Sequence, residues 1–535
     1  MRSLTSKLSI LLLCFSLLLP ALASAHEVKT TGPAPDLRAA LGQLLGEHAL
    51  LAILAMQKGY DGAPDFGEAA AALGSNTDDL AAAIASVYGK PAGEAFKPIW
   101  SSHIGYFVDY VKATADKNEA GRQKAIANLE DYRMKQAEFF HTANPQYFDK
   151  TAIADSLNMH IRHLLDAFNN YVNKNYDKAY ADARTAYAHM FVTADALAGG
   201  IAAQFPDKFP AATVKSAGID LRAALGQLLG EHASLAVIAM QKGIDGAPDF
   251  TAAAGALGHN TDDLAAAIAS VYGQAAGDGF KTIWSSHIGY FVDYVKATGA
   301  KDEAGRQKAI AELEDYRVKQ AEFFNMANPA YFETAAIASG LKMHIDDLLN
   351  AFIRYVNDDY KSAYSFERTA YAHMFATASA LAGGIAAQFP DKFHGPAATP
   401  QVSTITMKVG SMDLIVNGKT TKMDVAPFVK NGTTFIPLRY LGEAIGAEVI
   451  WDQVKQTAWV KTGGNTAAFW IGKPYMELNG QRKEIGTPIF HQGGRTQVPL
   501  RFITELLGWN VQWNVEEGSM TLTKAMGMDA GHSGH

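Results

Sequence analysis

The chain has 535 residues, 47 Lys and Arg against 54 Asp and Glu, a formal charge of −7 and 48% hydrophobic residues. That length allows several domains with cores of their own, and the acidic balance disfavours a nucleic-acid partner. The only cysteine is Cys14, so disulfides, thiolate zinc sites and cysteine nucleophiles have no basis in the rest of the chain.

Residues 1–25 read as an export signal. Arg2 and Lys7 precede an apolar run from Leu8 to Leu19, and Ala23-Ser24-Ala25 supplies an Ala-x-Ala cleavage pattern. Leu13 stands where a lipoprotein signal would need a small residue before Cys14. The mature chain is therefore expected to begin at His26, to act outside the cytoplasm (secreted or in the cell envelope), and to lack cysteine. No later run approaches the roughly 18 apolar residues expected of a membrane span.

The sequence then repeats itself. DLRAALGQLLGEHA at Asp36 returns at Asp220, and FPDKF at Phe205 returns at Phe389, with an offset of 184 and no gap. The two copies, 36–209 and 220–393, are too long for solenoid units and long enough for domains. Both are rich in Ala, Leu, Glu, Lys and Gln without β-branched runs, which predicts all-α bundles. Leu37, Leu41, Leu44, Leu45, His48, Leu51 and Ala55 fall at helical spacing and predict one apolar face on the first helix. Short helices are expected over Glu68–Leu73 and Thr77–Val87, with Asn76 or Thr77 as a cap. Longer ones are expected near Ala92–Ala115, Glu119–His141, Lys150–Asn173 and Asp177–Gln204. Pro210–Gly218 and His394–Ser403 read as linkers.

From about 404 to 524 Val, Ile, Thr and Trp rise, and turn pairs such as Asn417-Gly418 and Asn479-Gly480 appear. This region also repeats, at an offset of 62: Asn417, Gly418, Pro437, Leu438, Arg439, Gly446 and Trp451 recur as Asn479, Gly480, Pro499, Leu500, Arg501, Gly508 and Trp513. A small α+β domain with two similar halves is expected, each half with a short helix (Leu438–Ile445; Leu500–Leu507). The run Val416-Asn417-Gly418-Lys419, then Asn431 to Arg439 (NGTTFIPLR), then Glu443 to Ala447 and Trp451-Asp452, resembles the copper amine oxidase N-terminal-like domain. The resemblance implies a stalk or accessory module of exported bacterial proteins, with cell wall or another envelope protein as a possible partner. It does not imply amine oxidation, because the copper and quinone of those enzymes belong to a separate large β-domain that no stretch here resembles.

The chemistry is therefore sought in the helical repeats. His48, His103, His160 and His189 recur as His232, His287, His344 and His373, whereas His141 and His163 become Asn325 and Asp347. The first three of each set lie in line with apolar residues of their helices, and His189 shares a small-residue face with Ala186, Thr193 and Ala196. Each can be a core histidine with a hydrogen-bonded neighbour. A shared ion satisfies several buried imidazoles at once, and imidazole suits copper, zinc, nickel or iron. Met56, Met159 and Met190, recurring as Met240, Met343 and Met374, add thioethers that as ligands favour copper(I) or haem, although core filling is their ordinary role. None of the four recurring histidines has a glutamate three residues before it, which weighs against a ferritin-like di-iron site. Glu47/Glu231, Asp109/Asp293 and Tyr187/Tyr371 are candidates for supporting hydrogen bonds, and Trp100 and Trp284 for core packing. In the tail, 525–535, Met526, Met528, His532 and His535 make a short metal-binding composition, and an N-terminal His26 can chelate copper(II). The leading expectation is an exported, non-enzymatic transition-metal binder, copper first. The alternatives are a haem protein for storage or electron transfer, and an envelope scaffold or adhesion protein with structural histidines. No catalytic triad, phosphate-binding loop or nucleophile elbow is recognisable.

Overall fold

The computed structural model describes residues 28–210, 213–393 and 402–525, the last with breaks at 431–432, 445–446, 453–454, 463–464, 479–480, 486, 501–509 and 515–517. The signal segment, His26, the Met/His tail from Met526 onward and, apart from Leu500, the second short helix lie outside the described residues. The chain divides near residue 397 into a helical unit and a β-rich unit.

The first repeat contributes α1 (Pro33–Asp61), α2 (Phe66–Tyr88), α3 (Lys90–Ala115), α4 (Glu119–Ala143), α5 (Lys150–Val172) and α6 (Tyr176–Gln204). The second contributes α7 (Ala217–Ile244), α8 (Phe250–Tyr272), α9 (Gln274–Gly299), α10 (Glu303–Ala327), α11 (Thr334–Val356) and α12 (Tyr360–Gln388), and α13 (Pro390–Phe393) ends the unit. Local chemistry sets several of the starts. Asn118 and Asp149 accept from the backbone N–H of Gly121 and Ala152, as do Ser216 and Asp302 from those of Ile219 and Gly305, satisfying donors a helix start leaves orphaned.

The expected break at Asn76 does not occur, and α2 runs straight through it. Asn76 Nδ2 donates to Leu44 O at 2.9 Å and to Glu47 Oε2 at 2.7 Å, and Thr77 Oγ1 donates back to Leu73 O. The side chains that would have capped a new helix are taken up by tertiary and back-bonding contacts instead.

The single apolar face predicted for the first helix is also corrected. From Leu45 to Lys58 every residue of α1 is buried, and α7 is buried in the same way from Leu229 to Lys242. A helix buried all round is a central one, and the two duplicated bundles pack together in one compact unit in which α1 packs on α7, α6 on α8 and α12 on α2. This also corrects the reading of membrane spans. Both α1 and α7 are long and apolar enough to cross a membrane by length and composition, yet 78% of each apolar window is buried inside the unit. A count of uninterrupted apolar residues passes over them because Gln, Glu, His and Gly interrupt the run.

The seam between repeats is written twice. Arg368 binds Glu47 and Asp79, and Arg184 binds Glu231 and Asp263. Lys58 pairs with Asp65, which accepts from Tyr364 Oη, and Lys242 pairs with Asp249, which accepts from Tyr180 Oη. Tyr187 and Tyr371 meet at 3.3 Å where the two copies cross. A Cβ on Gly46 would stand 2.7 Å from Tyr371 Oη and 2.8 Å from the Tyr187 ring, so glycine permits the close approach at this crossing.

The β-rich unit is antiparallel in every named strand pair. Its first seven strands are β1 (Val402–Lys408), β2 (Asp413–Val416), β3 (Lys419–Lys422), β4 (Phe428–Lys430), β5 (Thr433–Pro437), β6 (Glu448–Asp452) and β7 (Thr457–Thr462). The next seven are β8 (Asn465–Trp470), β9 (Tyr475–Leu478), β10 (Gln481–Glu484), β11 (Phe490–Gln492), β12 (Arg495–Pro499), β13 (Asn510–Asn514) and β14 (Ser519–Ala525). The short helix α14 (Leu438–Ala444) follows β5. The sheets run β13-β14-β1-β2-β3, β10-β9-β8-β7-β6 and β11-β12-β5-β4. All three sheets combine strands from both sequence halves, so the similar halves are interleaved rather than side by side. Asn417 and Gly418 make the β2–β3 turn with φ of 50° and 81°, the left-handed pair an Asn-Gly hairpin demands.

Candidate metal centre

In the first repeat His48 on α1, His103 on α3 and His160 on α5 converge. Their rings are 0–1% exposed, and one ligand nitrogen from each lies within 4.8 Å of the others. The Nε2 atoms of His48 and His103 are 3.2 Å apart, and the ring centroids of His48 and His160 5.5 Å. The second repeat reproduces the arrangement in His232, His287 and His344, with Nε2 of His232 and His287 again 3.2 Å apart. Helical rows bring this about: Trp100, His103 and Phe107 on α3, and Leu157, His160 and Leu164 on α5, are all buried on one face.

Second contacts orient the rings. His103 Nδ1 faces the carbonyl of Trp100, and His287 Nδ1 that of Trp284. A carbonyl only accepts, so the proton sits on Nδ1 and the Nε2 lone pair is turned inward, the tautomer a metal ligand needs. Tyr132 stacks on His103 with centroids 4.5 Å apart, and Trp100 lies 4.8 Å from His48. Burial holds His48 and His160, with His232 and His344, well below the ordinary imidazole range, and His103 and His287 at about 3. Every member is thus a neutral ligand at physiological pH. Among the described residues, His48 Nδ1 and both nitrogens of His160 have no hydrogen-bond partner, nor do the same atoms of His232 and His344. A buried unpaired polar group costs about 1–3 kcal/mol. One pair in each set already has the spacing of ligands to an ion: tetrahedral coordination with bonds near 2.0–2.1 Å places nitrogens about 3.3 Å apart, close to the 3.2 Å of His48–His103 and His232–His287, and the third imidazole offers a nitrogen within 4.8 Å of both.

His189 and His373 do not join. They are partly exposed, and their Nε2 atoms approach carbonyl oxygens on the preceding helix, Ser156 O at 3.0 Å and Gly340 O at 3.2 Å. Four expected ligands per repeat therefore become three. A small-residue face signals close helix packing, and here that closeness lets imidazole reach a neighbouring backbone. His141, which does not recur, approaches Phe148 O through Nδ1, and its counterpart Asn325 donates to Phe332 O, so the substitution preserves the bond.

The expected supporting residues go elsewhere. Glu47 and Glu231 turn to the other repeat's arginine, Tyr187 donates to Gln227 O, and Asp109 and Asp293 are exposed. Met159 and Met343 are 47% and 49% exposed, whereas Met190 and Met374 pack in the core. Met56 lines an apolar cavity of about 70 Å³ that borders His103. The residues missed by sequence reasoning are Tyr132 and Gln136, fully buried on α4 and recurring as Tyr316 and Gln320. Their recurrence one turn apart, in line with Ala125, Leu129 and Phe140 on α4, was the available signal.

The class that emerges is a two-unit protein whose all-α N-terminal unit holds two buried tri-histidine clusters capable of holding metal ions, followed by a β-rich unit. Residues 403–522 match the copper amine oxidase N-terminal domain, and the match lies wholly outside the helical repeats. Comparison of the chain with curated proteins and with solved structures returned no match.

Proposed function

We propose that this is an exported, non-enzymatic transition-metal-binding protein that takes one ion in each helical repeat, copper first, for sequestration or handling outside the cytoplasm. The carrying observation is the duplicated buried triad with unpartnered imidazole nitrogens. Three neutral nitrogen donors suit copper, zinc, nickel and iron, and copper(II) stands highest in the affinity order of divalent ions. Export rests on the N-terminal signal pattern. The C-terminal region supports an envelope setting through its resemblance to a stalk module, with cell wall or another envelope protein as partner.

Haem is disfavoured on geometry. Two axial nitrogens at iron stand about 4 Å apart with a porphyrin plane between them, taking bonds of about 2.0 Å as for other metal–imidazole pairs. Here two of the rings touch at 3.2 Å. A purely structural role leaves the orphaned nitrogens without compensation.

Metal analysis of the full chain after copper loading and dialysis tests the proposal. Two retained ions are expected, one after His103→Ala with His160→Ala, and none when His287→Ala and His344→Ala are added. His189→Ala with His373→Ala should leave the count at two. Truncation before Met526 separates any contribution of Met526, Met528, His532 and His535. Retention unaffected by the triad substitutions, or no retention at all, overturns the reading.

A further inference from the structure

Around each triad stands a second set of buried polar atoms that the three histidines do not use. Tyr132 Oη, both amide atoms of Gln136 and Trp100 Nε1 have no hydrogen-bond partner among the described residues, and Tyr316, Gln320 and Trp284 repeat this atom for atom. Tyr132 and Gln136 are 0–1% exposed and Trp100 is 3%. Tyr132 lies against His103, Trp100 touches both His48 and His103, and Gln136 follows Tyr132 by one turn on the same face of α4. Leaving such groups unpaired costs about 1–3 kcal/mol each, and the same cost recurs in both copies.

The charge of the site points the same way. Each cluster contains three histidines and no carboxylate, and the adjacent Glu47 is held by Arg368 across the seam. A divalent ion on three neutral imidazoles would be a buried, uncompensated double charge, which is costly in a dry interior. Three nitrogens also leave the fourth tetrahedral position to a non-protein ligand.

We infer that the ion in each repeat carries an exchangeable small anion as its fourth ligand, hydrogen-bonded by Tyr132 and Gln136 in one copy and by Tyr316 and Gln320 in the other. Tyrosine and the glutamine amide can each donate to such a ligand, and the tryptophan N–H can only donate. The assignment rests on the metal reading and gives the site a chemistry that closed structural coordination lacks: reversible capture of hydroxide-sized or azide-sized anions at the metal.

The test uses the full chain loaded with copper(II) and titrated with sodium azide, followed by ligand-to-metal charge-transfer absorption and electron paramagnetic resonance. Saturable spectral change at both ions is expected. Tyr132→Phe with Tyr316→Phe removes only two hydroxyls; it should keep two ions per chain and weaken azide about tenfold, equivalent to about 1.4 kcal/mol. Gln136→Leu with Gln320→Leu should weaken azide likewise. Two retained ions with no azide response, or unchanged azide affinity in the tyrosine variant, overturns the inference while leaving metal binding intact. Failure to retain any ion instead removes the metal reading, and this inference with it.

Discussion

Glu47 and Arg368 join the two repeats through a two-pronged pair, Nε to Oε1 at 2.9 Å and Nη2 to Oε2 at 3.0 Å. Glu47 precedes the ligand candidate His48 on α1, so one residue of the helix grips the other repeat and the next belongs to the triad. Glu47 is 7% exposed, and removing its partner leaves a nearly buried carboxylate that still accepts from Asn76 Nδ2. Arg368→Ala should lower unfolding free energy by roughly 3 kcal/mol. Urea denaturation checks this, and the Glu47→Gln, Arg368→Met double substitution should recover much of the loss because neither charge is then stranded.

Gly46→Ala tests the crossing itself. The added methyl meets Tyr371 Oη and the Tyr187 ring below van der Waals contact, and both tyrosines are 0–1% exposed and enclosed. Overpacking of this kind costs about 1–3 kcal/mol. A lower thermal midpoint is expected, whereas Gly67→Ala, on an open face of α2, should leave the midpoint unchanged or higher.

The buried histidines predict the acid response of the metal-free protein. Burial holds them below the ordinary imidazole value of about 6.5, at about 3 for His103 and His287. Below pH 6.5 the unfolded chain takes up protons that the folded chain refuses. Stability is therefore full above pH 6.5 and lost as pH falls through the window towards about 3, with a slope near 1.4 kcal/mol per pH unit for each group. Denaturant midpoints measured from pH 7.5 down to about pH 4 should show this fall, and His160→Leu with His344→Leu should make it shallower.

Glu367 predicts the opposite sign. It is 4% exposed, its Oε2 has no partner among the described residues, and burial first of all raises its carboxyl to about 8. The unfolded chain releases this proton near pH 4.5, so Glu367 favours the folded state least once pH has risen through 8. Alanine occupies the equivalent position, Ala183, of the other repeat. Glu367→Ala should stabilise by about 1–3 kcal/mol at pH 9 with little change at pH 5, read from thermal melts at the two values.

The helices and the duplication were legible in the residues, because helical spacing, caps and an exact offset are local properties. Four of the long helices begin and end within two residues of expectation. Asn76 was misread because the same side chain that caps a helix in isolation can bind Leu44 and Glu47 across a packed interface. His189 was misread because spacing says which face a residue occupies and not which neighbour stands opposite. Tyr132 and Gln136 went unnoticed because both carry polar groups, although they continue the buried row of Ala125, Leu129 and Phe140 on α4; packing shows what that row faces.

By itself the sequence determined that the chain is two copies of one helical design followed by a strand-rich region with its own internal repeat, and that histidine rather than cysteine would carry any metal chemistry. Only the tertiary structure decided that the copies share one core through α1 and α7, that three imidazoles and not four converge, and that the β halves exchange strands. The physical reason is range. Hydrogen bonds within a helix reach four residues, whereas the triad joins His48 to His160 and the seam joins Glu47 to Arg368. Those partners are chosen by burial and charge pairing once the helices meet.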